Sequence, residues 1–124
     1  MQAEWKNYLQ QAGAQFVDET VLSFGHPRRE AQVAMSGFVF ADLQHHSVIR
    51  VDGKDARTFL HNLLTNDVKH LSENQWQLNA LCNTKGRVVA TMRLFMLDES
   101  LYLLTPSSIA STLINTLKKF ILRS

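Results

Sequence analysis

Apolar and polar positions fall into regular periods mainly in the second half of the chain. Ala56, Phe59, Leu60, Leu63 and Leu64 recur at helical spacing and form one continuous stripe, which predicts an amphipathic helix. Asp52 or Gly53 stands where an N-cap belongs, Asp55 lies in the first turn, and Asn66-Asp67 closes the segment. The period then changes to two. Trp76, Leu78, Ala80 and Cys82 alternate with Gln75, Gln77, Asn79 and Leu81, which predicts a strand with Cys82 on an apolar, core-packed face. Asn83-Thr84-Lys85-Gly86 reads as a turn in which Gly86 takes positive φ. Arg87 to Leu97 is apolar on both faces, the mark of a central strand. Asp98-Glu99-Ser100 turns the chain into the strand Leu101–Leu104. Thr105 followed by Pro106 is a helix start, and Ile109, Leu113, Leu117, Phe120 and Ile121 give that helix its buried face.

The first half is less regular. Good helix formers fill residues 2–12, with Gly13 as the stop. Phe16 to Gln32 reads as a connector with a short strand around Val21 to Phe24. Gly37–Leu43 and Ser47–Val51 read as two strands, the second ending at the Asp52-Gly53 turn. The expected order is two strands, helix, three strands, helix, an α+β fold class. Residues 1–34 form an N-terminal helix and connector ahead of it, and residues 35–124 form one subdomain. A sheet of these strands leaves an apolar edge open, and the chain ends three residues after Ile121 with no glycine cap. The expectation is a fold that stops before completion.

Composition narrows the picture. With 45% hydrophobic and 19% charged residues in 124, the chain has the make-up of one globular domain. A formal charge of +2, from 13 basic and 11 acidic side chains, argues against a nucleic-acid or membrane surface. Cys82 is the lone cysteine, so no internal disulfide forms, and neither a signal-peptide core nor a membrane-length apolar run is present. A soluble cytoplasmic protein is expected.

The residues by themselves show no active site. His26, His45, His46, His61 and His70 lack metal-ligand spacing, and His45-His46 on a strand points to opposite faces, so no metal is expected. No phosphate loop, nucleophile elbow or catalytic carboxylate pair occurs, and Asp98-Glu99 reads as a solvated turn.

Longer motifs carry a resemblance. Val48-Ile49-Arg50-Val51-Asp52-Gly53-Lys54-Asp55-Ala56, then Phe59-Leu60 and Leu64-Thr65-Asn66-Asp67-Val68, resemble the opening of the glycine-cleavage T-protein (aminomethyltransferase) superfamily. Leu81-Cys82-Asn83-Thr84-Lys85-Gly86-Arg87-Val88 and Arg93-Leu94-Phe95 continue it, so that it covers roughly Met35 to Phe120. The resemblance implies a folate-binding domain made of two subdomains that exchange their first strands, of which this chain holds the first. It also raises a strand-exchanged homodimer as a hypothesis, which a chain that stays monomeric at high concentration excludes.

Two branches of the superfamily differ at one place. Transferases carry an adjacent Asp-Asp pair where this chain has Ala90 and Thr91, neither of which can do a carboxylate's work. Lys85-Gly86 and Arg93-Leu94-Phe95 are instead similar to the YgfZ-like branch, folate-binding proteins that support iron–sulfur enzymes. That branch's Lys-Gly-Cys-Tyr-x-Gly-Gln motif has no counterpart here. The resemblance thus implies a tetrahydrofolate-binding accessory protein with iron–sulfur proteins as partners and no catalytic residue of its own. The alternatives are an aminomethyltransferase-like enzyme and an interaction module that binds no folate. By the same carry-over the folate-binding residues are Arg93 (to a carboxylate or carbonyl), Thr91 (at the lost acid), Leu78 (a position often aromatic in transferases) and His46 (where some relatives have tryptophan).

Overall fold

A computed structural model describes residues 2–121, and its contacts divide the chain into one unit up to Gln44 and another from His45 onward. In the first unit, helix α1 (Ala3–Gln11) is followed by strands β1 (Gln15–Val17) and β2 (Thr20–Ser23) and by helix α2 (Pro27–Ser36). The β1–β2 hairpin turns through Asp18 and Glu19, both at positive φ, and Lys6 pairs with Glu19 at 2.6 Å. The expected connector over Phe16 to Gln32 is thus a hairpin and the start of a helix. Pro27 at the first helical position and Glu30 explain α2. The Glu30 carboxylate accepts the backbone N–H groups of Phe24 and His26, both at 2.8 Å, and so ties down the chain entering the helix.

The second unit holds β3 (His46–Val51), α3 (Ala56–Leu63), β4 (Trp76–Cys82), β5 (Val88–Leu97), β6 (Ser100–Pro106) and α4 (Ser107–Ile121). Its antiparallel sheet has the order β3-β6-β5-β4, so the doubly apolar β5 is central as its sequence predicts. Mixed helices and antiparallel strands make this an α+β fold. Leu60 of α3, Leu94 of β5, Leu103 of β6 and Leu113 of α4 are wholly buried and form its core with Val68 and Leu81. Each such leucine contributes roughly 1.5–3 kcal/mol by leaving water.

Several expected details differ. Gly37–Leu43 forms no strand: a strand exists only as a pairing, and no described strand runs beside this stretch. Phe38 and Phe40 there are fully exposed. Thr105 and Pro106 do not start α4 but end β6, where Pro106 pairs with His46 and the buried Thr105 hydroxyl donates to the Thr91 carbonyl at 2.9 Å. Helix α4 buries Ala110, Leu113 and Leu117, whereas Phe120 and Ile121 are exposed. The last residues of the expected subdomain, 122–124, lie outside the described residues.

The face of β4 is the largest correction. Asn79 and Leu81 point into the core, while Trp76 and Leu78 face outward and Cys82 is only half-buried. Asn79 can be buried because every polar atom it carries is used. Its Oδ1 accepts the N–H groups of Asn66 and Ala80 (both 2.9 Å) and the Thr65 hydroxyl at 3.3 Å, and its Nδ2 donates to Gln77 Oε1 at 2.8 Å. The segment after α3 thereby covers part of the outer edge of β4, with Thr65 N–H donating to Ala80 O and Asn66 Nδ2 to Leu78 O, each at 3.0 Å. Among the described residues the opposite edge, β3, pairs only with β6.

Candidate functional site on the outer sheet face

Side chains alternate across a strand, so the register of the sheet decides which residues share a face. Val48 pairs with Leu104, Leu104 with Arg93 and Arg93 with Leu78, one row across all four strands. Arg50, Tyr102, Phe95 and Trp76 form the next row. Thr91, opposite Ala80, lies two residues from Arg93, and His46 lies two from Val48. All four residues assigned from the resemblance, His46, Leu78, Thr91 and Arg93, therefore stand on the outer face, opposite the face that carries the leucine core. All four are exposed, Leu78 at 64%.

The same register separates Ala90 from Thr91. Ala90 is 3% exposed and packs into the core, whereas Thr91 is exposed on the outer face. Only one of the two positions can present a side chain to a ligand there.

The face has a chemically distinct corner that sequence reasoning missed. The Arg93 guanidinium lies over the Trp76 indole, 5.3 Å from its centroid, and Phe95 stacks on Tyr102 at 5.2 Å with 12° between the ring planes. Beside them opens a concavity of about 390 Å³, lined by Asn74, Gln75, Trp76, Arg93, Phe95 and Leu104 among others. Alternation alone put Trp76 in the core. The contrary signal was Asn79 on the opposite face, with Thr65 and Asn66 upstream to satisfy it.

Electrostatics single out Arg93. Arg50 on the same face is tied to Asp52, whose carboxylate is held below its usual range first by the Ser100 hydroxyl and then by Arg50. Among the described residues no acid pairs with Arg93. No group of three or more His, Cys, Asp or Glu side chains among the described residues is placed to hold a metal. No described helix is long and apolar enough to cross a membrane.

Comparison with known proteins adds the lineage. A family model described as the GCVT N-terminal domain matches residues 4–121, reaching much further toward the N-terminus than the motifs from Met35 onward. An aminomethyltransferase of Shouchella clausii is 35% identical over 98 residues, covering 76% of this chain and 27% of the relative. The tRNA-modifying protein YgfZ of Hamiltonella defensa is 37% identical over 78 residues, covering 63% of this chain and 23% of that protein. The crystal structure of glycine cleavage system aminomethyltransferase T from Bartonella henselae superposes with a TM-score of 0.69 at 21% identity, over 93% of this chain and 34% of that one. This last likeness is one of fold. The chain spans about a quarter of the length of these two curated relatives.

Proposed function

The chain belongs to the GCVT N-terminal domain family, and from that premise we propose that it binds a reduced folate on the outer face of its sheet. In this reading it is a tetrahydrofolate-binding accessory protein for the assembly or repair of iron–sulfur clusters, not a catalyst. Residues 35–124 are then the first subdomain of a folate-binding domain, and residues 1–34 precede it. The observation that carries the reading is the common face of His46, Leu78, Thr91 and Arg93, residues up to 47 positions apart in the chain, beside an open concavity. Arg93 pairs with a folate carboxylate or carbonyl through its fork of donors. Leu78 supplies apolar surface, and Thr91 and His46 supply the polar contacts.

Against the transferase reading stands the chemistry at Thr91. A hydroxyl neither takes up a proton near neutrality nor balances a developing cation as a carboxylate does. A carboxylate at Ala90 would enter the leucine core instead of the face. The iron–sulfur role draws support from Lys85-Gly86, Arg93-Leu94-Phe95 and the likeness to a YgfZ protein.

Calorimetric titration of the chain with 5-formyltetrahydrofolate tests the core of the proposal. Binding is expected, and Arg93→Gln should weaken it by roughly ten- to a hundredfold, the worth of a hydrogen bond to a charged group. A folded chain that binds no folate would make this an interaction module instead. The accessory role is tested by deleting the gene and assaying iron–sulfur enzymes. Unchanged activities would exclude it.

A further inference from the structure

The Trp76–Arg93 corner has a chemistry narrower than the face around it. We infer that it is a subsite for an aromatic ring carrying an anionic side chain, and that, resting on the folate reading, it takes the aminobenzoyl-glutamate half of the ligand in preference to the pterin. A guanidinium lying across an indole still has its in-plane N–H groups free to meet a carboxylate. Arg93 takes that position over Trp76 at 5.3 Å, with no acid among the described residues pairing with it. Trp76 is 61% exposed, so the indole offers surface for a second ring to stack. In the next strands of the same row, Phe95 and Tyr102 extend the aromatic surface.

The occupant follows from what the corner supplies. Trp76, Phe95 and Leu104 are apolar walls, and Arg93 is a single cation, which together suit a ring bearing an anionic group. A pterin, ringed with donors and acceptors, loses hydrogen bonds to water there that those walls do not return. The hydroxyl of Thr91 and the imidazole of His46 lie further along the same face. Thr91 is two residues from Arg93, about 7 Å along the strand. One ligand with a polar ring at one end and an aromatic ring with an anionic tail at the other can meet both sets. Trp76 is thus the residue that chooses which end lies where.

The test uses the whole chain and three probes: 4-aminobenzoylglutamate, 6-hydroxymethylpterin and 5-formyltetrahydrofolate. NMR follows the two indole N–H signals, with Trp76→Leu identifying which belongs to Trp76. Because Trp76 is exposed, that variant leaves the core intact, and Trp76→Phe keeps an aromatic ring as a second control. The expected result is that 4-aminobenzoylglutamate moves the Trp76 signal and the pterin does not. Trp76→Leu and Arg93→Gln should each weaken 4-aminobenzoylglutamate about tenfold, while Trp76→Phe largely restores it. Equal affinity of 4-aminobenzoylglutamate for wild type and Trp76→Leu, or a pterin that moves the Trp76 signal more strongly, overturns the subsite. Intact folate that binds without regard to Trp76 refutes the subsite and spares the folate reading. Binding of 4-aminobenzoylglutamate alone, with no binding of intact folate, does the reverse. Binding of neither overturns both.

Discussion

Replacing Arg57 by Met should destabilise the unit that carries the sheet by about 3 kcal/mol. Arg57 lies in α3, and its Nη1 donates to the backbone carbonyls of Val68, Lys69 and Leu71 at 2.9, 3.1 and 2.7 Å, while Nη2 meets Met96 Sδ at 3.0 Å. This one guanidinium holds the irregular segment between α3 and β4, whose anchors Val68 and Leu71 are buried. A hydrogen bond to a charged donor is worth about 1.5–3 kcal/mol, and more is lost when a buried acceptor is left without a partner. Two hydrogens serve three carbonyls, and Lys69 is exposed, so its carbonyl can turn to water; two bonds at the lower figure give the estimate. Methionine keeps much of the side-chain length and apolar stem, so the loss is polar and not a cavity. Urea unfolding followed by circular dichroism measures it as a lower midpoint at constant slope. Arg57→Lys should recover only part of the loss, since one ammonium does not reproduce the planar fork. A loss below about 1 kcal/mol in Arg57→Met would show that water replaces the clamp and refute the reasoning.

The opposite faces of Ala90 and Thr91 predict opposite fates for one substitution. Thr91→Asp should fold normally, whereas Ala90→Asp, which buries a carboxylate among leucines, should cost several kcal/mol and leave little folded chain by circular dichroism. Equal tolerance at both positions would mean the register is misread. Asp67 makes stability depend on acid. Its hydrogen bond with the His70 ring, above all, lowers its pKa in the folded state. The unfolded chain therefore binds more protons as pH falls, so this contribution is present above the ordinary carboxylate pKa and is lost as pH drops through the lowered one. Melting curves of wild type and His70→Ala should differ at pH 6 and converge toward pH 2. A gap that persists at pH 2 would contradict the linkage.

The face of β4 shows where sequence patterning stops. Its alternation predicts the strand at the right residues, yet both of its faces have material a core could accept. Trp76 and Leu78 look like core until Asn79 is seen with all its hydrogen bonds made by Thr65, Asn66, Gln77 and Ala80. Those partners come in part from a segment more than ten residues upstream, and no local window contains them. The same limit applies to Gly37–Leu43, whose strand-like sequence has no neighbour to pair with among the described strands. Pro106, by contrast, is ambiguous for a local reason: a proline can end a strand as readily as begin a helix.

The candidate site divides along the same line. The resemblance to the T-protein superfamily, carried over position by position, assigns His46, Leu78, Thr91 and Arg93 and marks Ala90 and Thr91 as the place where an acid pair is missing. Their common face, and the separation of Thr91 from Ala90, need only the strand register. The Arg93–Trp76 contact and the stack of Phe95 on Tyr102 each join consecutive strands, and it is the β4–β5 and β5–β6 pairing that brings them together. Periodicity within one element determined which segments became helices or strands, because it reflects the local geometry of the backbone. Which face of each strand met the helices was decided by contacts between elements, where burial is shared among residues far apart in the chain.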